Sequence, residues 1–199
     1  MFAMMLSLAI LTSLFFVIGS ETIDAPDRIG VSGPISFNGT QFSLAWSQKP
    51  RDTYYVQEYL PTGEELESFN QMMAIHLFIL DIKIEDAVRQ KVQQFKNRQL
   101  TDKICQFEVT ESPTGDEFIV DCIMSVSKDD QITLVEFNVN RFKRVAIGSG
   151  KTGILVYAYS LRSYGDNVLH FLDTLTEVRA THLNAMIATT LPSIIVKND

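Results

Sequence analysis

Gly148-Ser149-Gly150-Lys151-Thr152 ends in the Gly-Lys-Thr of a phosphate-binding loop. Such a loop cradles phosphates with backbone N–H groups and a lysine. It also needs a glycine upstream, with four residues between it and Gly150, and a helix behind it. The upstream position holds Val145, and the loop runs on into Ile154-Leu155-Val156-Tyr157, a strand pattern. The segment therefore reads as a hairpin loop. The three histidines are His76, His170 and His182. His170, Asp173 and Glu177 share one helix side and could hold a metal, but no HExxH spacing is present. His170 or His182 with carboxylates could also form an enzyme site that converges only in space. The plainer reading is a solvated helix face for His170 and hydrogen-bonded core positions for His76 and His182. No Gly-x-Ser-x-Gly elbow occurs, so a hydrolase nucleophile of that kind is not indicated. No cofactor is implied. Arg141, Lys143, Arg144, Lys151 and Arg162 fall on neighbouring strands and could face an acidic partner or a lipid headgroup. A solvated strand end, partly paired with carboxylates, is the commoner outcome.

The two cysteines belong to the hairpin expected to carry the fold. Glu111-Ser112-Pro113-Thr114-Gly115-Asp116 is a turn, with Pro presetting φ and Gly supplying φ > 0. If Glu111 pairs with Asp116, Val109 opposes Phe118, Phe107 opposes Val120, and Cys105 opposes Cys122. One face is then apolar and the other mostly polar. Lys128-Asp129-Asp130-Gln131 is the next turn, and it sets Val126 against Thr133, Met124 against Val135 and Cys122 against Phe137. Together with Ile154–Leu161 these strands form an antiparallel meander over Lys103–Arg162. Beyond Val139 the alternation inverts, which a bulge near Asn140 would explain. A Cys105–Cys122 disulfide is expected from this register in an oxidising compartment. Two buried free thiols are the competing outcome.

The remaining elements are built around that meander. Ile35–Phe37, Asn38-Gly39 and Phe42–Ser47 form a hairpin, Asn-Gly being a strong two-residue turn. Asn38-Gly39-Thr40 is also a glycosylation sequon. Tyr54–Leu60 is a strand. Thr62 and Glu65 suggest a capping box for a short helix over Glu64 to Gln71, with Met72–Leu80 a buried strand. One continuous helix from Glu64 is the competitor. Ile84–Gln99 is an amphipathic helix on Ile84, Ala87, Val88, Val92 and Phe95. Lys91 and Arg98 fall near its apolar arc, so their stems should cover it while their charged heads reach water. A last helix begins at Asp166 or Asn167 and ends at Pro192. This order gives an α+β fold: an antiparallel sheet containing a four-strand meander, packed by two longer helices.

Composition sets the outer bounds. The 199 residues suit one domain, expected over 35–199 behind a linker at 20–34. Met1–Gly19 is apolar and uncharged, the pattern of a signal peptide or of a retained N-terminal anchor. With 17 basic and 24 acidic residues, the net charge of −7 argues against nucleic acid as a partner.

Gln57-Glu58-Tyr59-Leu60-Pro61-Thr62-Gly63-Glu64, followed by Phe69 and Met72-Met73, resembles the E-Y-x-P-x-G-E, aromatic, Met stretch of small exported bacterial proteins of uncharacterised families. The element order is similar to the PsbP-like and DcrB-like α/β/α sandwich. Phe69 stands where those families commonly carry Trp. The resemblance implies that fold and export, and carries no catalytic residue. The expected function is an exported, non-enzymatic binding or envelope-assembly domain, periplasmic or extracellular, with an unknown protein or small ligand as partner. A space-converging enzyme and a membrane-tethered structural factor are the alternatives.

Overall fold

The computed structural model describes residues 25–148 and 150–197. Met1–Gly19, and with it the choice between signal peptide and anchor, lies outside the described residues. Among the described residues no helix is long and apolar enough to cross a membrane.

Eight antiparallel strands form one curled sheet. In chain order they are β1 (Ile35–Phe37), β2 (Thr40–Arg51), β3 (Tyr54–Leu60), β4 (Gln71–Phe78), β5 (Gln106–Glu111), β6 (Glu117–Lys128), β7 (Gln131–Ala146) and β8 (Thr152–Tyr164). Their order across the sheet is β1-β2-β3-β4-β8-β7-β6-β5. Three short helices accompany them: α1 (Ile84–Arg98), α2 (Asn167–Asp173) and α3 (Leu175–Ala188). The expected sandwich packed by two longer helices is therefore corrected to a half-barrel sheet with short helices. The last helical segment breaks at Thr174, whose hydroxyl turns back to the His170 carbonyl at 3.0 Å. The capping-box helix over 64–71 does not form; the Glu64 carboxylate instead accepts from the Asn70 backbone N–H, closing a non-helical turn.

Tight turns set the pairing. Asn38 and Gly39 both have positive φ (46° and 80°), the two-residue hairpin geometry that matches strand twist. Asp129 and Asp130 (52° and 61°) do the same between β6 and β7. There the ladder carries an irregularity between Val126 and Ser127, so Val126 pairs with Leu134 and Cys122 with Asn138. The expected pairing of Cys122 with Phe137 is thus off by one residue, and a one-residue slip exchanges faces. No bulge interrupts β7 near Asn140.

Two cores result, one on each face. The larger holds Phe37, Phe42, Tyr59, Met73, Ile75, Phe137, Val139, Leu155 and Tyr159 under α2 and α3. Ile29 and Val31, from the stretch read as a linker, are buried in it with Ile194 from the tail. The smaller core packs α1, through Ile84, Val88 and Phe95, against Phe118, Val120, Cys122 and Phe142.

Candidate functional site

Helix α1 packs over β5, β6 and β7 and leaves the same face of β3, β4 and β8 beside it. Side chains on that face are placed by the register. One row runs Glu58, Ala74, Ala158 and Asn140 across β3, β4, β8 and β7, about 14 Å from end to end at ordinary strand spacing. A second row runs Val56, His76, Val156 and Phe142, and a third runs Met72, Ser160, Asn138 and Cys122. Val56, Leu60, Ala74 and Ala158 are buried apolar positions, yet they join neither core. They form an apolar patch beside α1, with Trp46, the register partner of Glu58, on the neighbouring strand.

Polar groups share that face. Ser160 Oγ donates to Asn138 Oδ1 at 2.5 Å, and Asn138 Nδ2 donates to Glu136 Oε1 at 2.8 Å. Arg162 Nε donates to Glu136 Oε2 at 2.5 Å while its guanidinium stacks 3.8 Å from the Phe69 ring. Burial works against the Arg162 charge, but Glu136 offsets it and the net shift is upward. The Asn140 amide donates to the Val120 carbonyl at 3.1 Å. On the opposite side, Tyr54 Oη and His76 Nδ1 are 2.9 Å apart. Burial, with the Lys91 cation adding to it, pushes His76 down to about 4, so the ring is neutral at pH 7. Burial, with Glu58 adding to it, raises the Tyr54 hydroxyl to about 12. The Glu58 carboxyl is raised by burial to about 7 against the pull of Arg162. Lys91 is only 8% exposed, and burial lowers its pKa against the attraction of Cys122 and Glu136. Its stem is covered, as the helix pattern suggests, and its Nζ lies 4.8 Å from the Phe95 ring centroid; Arg98 turns to Asp102 and the Ser125 carbonyl.

The sequence-derived candidates lie mostly elsewhere. Arg141 and Lys143 meet on Glu117, on the face opposite α1. Arg144 is exposed and bonds Thr152 and the Ile82 carbonyl; Lys151 is exposed in the third turn. Arg162 pairs with Glu136 near the far end of β8, so these five bases do not form one patch. Phe107, not Cys105, stands opposite Cys122, and both cysteines are buried free thiols. Burial raises the pKa of each, which leaves them poor nucleophiles at neutral pH. His170 is exposed on α2, while His182 stacks on Tyr159 at 4.8 Å with Nδ1 on the Val178 carbonyl. His76 lies on the other face of the sheet from His182. No group of three metal-ligating side chains occurs among the described residues. Glu58, Glu136, Asn138 and Ser160 lie on this face without being singled out by the sequence pattern. The one available signal is the polar run at even positions of β7, Glu136, Asn138 and Asn140, which reads as an interrupted pattern until the register is known.

No curated protein and no solved structure matches the chain. The family comparison lends no support to a PsbP-like or DcrB-like assignment. Residues 29–191 match the model of an uncharacterised protein family, and the chain belongs to that family.

Proposed function

We propose that this protein is an exported, non-enzymatic binding domain that takes a small ligand on the sheet face beside α1. The observation that carries the reading is the patch: Val56, Leu60, Ala74 and Ala158 are apolar, belong to neither core and share their sheet face with Glu58, His76 and Arg162. Apolar surface with a few convergent polar groups is the usual lining of a small-molecule site. Export is supported by the uncharged, apolar Met1–Gly19. The compartment is periplasmic or extracellular. N-terminal sequencing of the native protein separates a cleaved leader, with a start near Ser20, from a retained anchor that begins at Met1.

The binding reading is tested at Ala158. The native protein, isolated from its host, is expected to carry a small molecule by native mass spectrometry. Ala158→Leu crowds the patch and is expected to lose that molecule while folding normally. A wild-type chain that carries none, together with an Ala158→Leu variant destabilised by the roughly 1–3 kcal/mol typical of an overpacked core, overturns the reading.

A further inference from the structure

The sheet ends on one side at β5, and that edge is bare. The Ser112 N–H donates to the Glu117 carbonyl at 2.9 Å, which sets the alternation of the β5–β6 ladder. Glu108 and Thr110 turn their backbone groups inward to β6, and Phe107, Val109 and Glu111 turn theirs out. Among the described residues no strand lies beyond them. The other edge of the sheet is blunted by familiar devices. There β1 has only three residues and follows Pro34, and β2 carries Lys49, Pro50, Arg51 and two breaks in register. By contrast β5 has six residues, an unbroken register, no proline and no lysine, and its Val109 is 43% exposed. An edge of that kind is a template for another strand.

We infer that two copies of this chain pair through β5, antiparallel about a two-fold axis at Val109, so that one sheet runs through both. Outward-facing groups must meet outward-facing groups, so the odd-numbered residues pair with one another. An axis at Glu108 would set Glu108 against its own copy, and like charges directly opposite destabilise a ladder. An axis at Thr110 would set Phe107 against Pro113, which has no N–H to give. An axis at Val109 pairs Val109 with itself, Glu108 with Thr110 and Phe107 with Glu111, and no like charges stand opposite. It also ends the ladder where free backbone groups run out. Cys105 then faces Pro113, and the Cys105 N–H and carbonyl are already taken by the Asp102 carbonyl and by Gln99 Nε2. Glu108 is held within its own chain by Arg179.

The test is the oligomeric state of the full chain by sedimentation, with amide exchange as the site-resolved readout. From about 1 µM to about 200 µM, the range of a weak, small interface, the wild type should pass from monomer to dimer. Exchange at the Phe107, Val109 and Glu111 amides should slow with that association, while Glu108 and Thr110, already in the ladder, stay unchanged. Val109→Pro removes the central outward N–H without touching a bond to β6, and should weaken the dimer at least about tenfold. Val109→Lys keeps the backbone and should weaken it likewise, by setting like charges against each other on the axis. A wild type that stays monomeric over that range overturns the inference. So does a dimer that either variant, once folded, retains, or one that leaves those three amides unprotected.

Discussion

Lys91 and Glu58 are where burial and charge conflict most directly. Burial disfavours the Lys91 charge, so Lys91→Met should raise stability by about 1–3 kcal/mol in urea denaturation. A loss of stability would mean that the ammonium is compensated. Glu58 and His76 make opposite contributions to pH dependence. The Glu58 pKa is raised in the folded state, from an ordinary 4.5 to about 7, so the folded protein binds that proton more tightly. Its contribution therefore falls as pH rises from about 4.5 to about 7. The His76 pKa is depressed, from 6.5 to about 4, so the unfolded chain binds the extra proton and stability rises with pH across that window. Between roughly 4.5 and 6.5 the two slopes cancel in the wild type. Glu58→Gln should expose the His76 slope, with stability climbing from about pH 4 to 6.5. His76→Gln should expose the Glu58 slope, with stability falling from about pH 5 to 7. A pair of flat profiles in thermal melts would refute the assignment.

Between elements, a single irregularity sets the chemistry of the face beside α1. The break between Val126 and Ser127 shifts β7 by one residue against β6. It turns Glu136, Asn138 and Asn140 toward α1 and sends Phe137 and Val139 into the larger core. The same alternation puts Arg141 on the α3 side. There its Nη1 donates to the Met186 and Thr189 carbonyls, both at 2.8 Å, and its Nε donates to Glu117 at 2.5 Å. These carbonyls lie at the C-terminal end of α3, where a cation is favoured. Arg141→Met should cost about 2–4 kcal/mol, since it strips two helix-end carbonyls and half of the Glu117 pairing in a largely buried setting. Arg141→Lys should recover little, because an ammonium lacks the planar fork that reaches carbonyl and carboxylate together. Equal stability of Arg141→Lys and wild type in denaturant melts would show that charge alone matters.

At the scale of the whole molecule, segments 28–31 and 194–197 together close the larger core. The Ile195 N–H donates to the Ile29 carbonyl and the Lys197 N–H to the Arg28 carbonyl, both at 2.9 Å. Gln57, fully buried, accepts from the Arg28 N–H at 2.6 Å and donates to the Val31 carbonyl at 3.0 Å, acting as a surrogate strand for the N-terminal segment. Gly30 has φ of +77°, and a Cβ there would lie 3.2 Å from Ile195. Truncation after Ser193 removes buried Ile194 and both bonds to segment 28–31. It should cost about 3 kcal/mol and lower the melting temperature by roughly 10 °C in calorimetry. An unchanged melting temperature would show that the clasp is decorative.

Local pattern was enough for the elements whose identity depends on neighbours in sequence. Tyr54–Leu60 is rich in β-branched and aromatic residues and is stopped by Pro61, Ile84–Gln99 carries a helical stripe, and Asn38-Gly39 and Asp129-Asp130 tolerate left-handed backbone, so each declares itself within a few residues. The sheet order, the break at Thr174 and the position of β4 beside β8 depend on contacts made far along the chain, and no local period encodes them. The same holds for the candidate site. Glu58, His76, Lys91 and Arg162 come from four separate elements, and only tertiary pairing brings them together. Lys91 has the same side chain on an exposed helix as on a buried one. Packing of α1 against β5–β7, not residue type, covers most of that side chain.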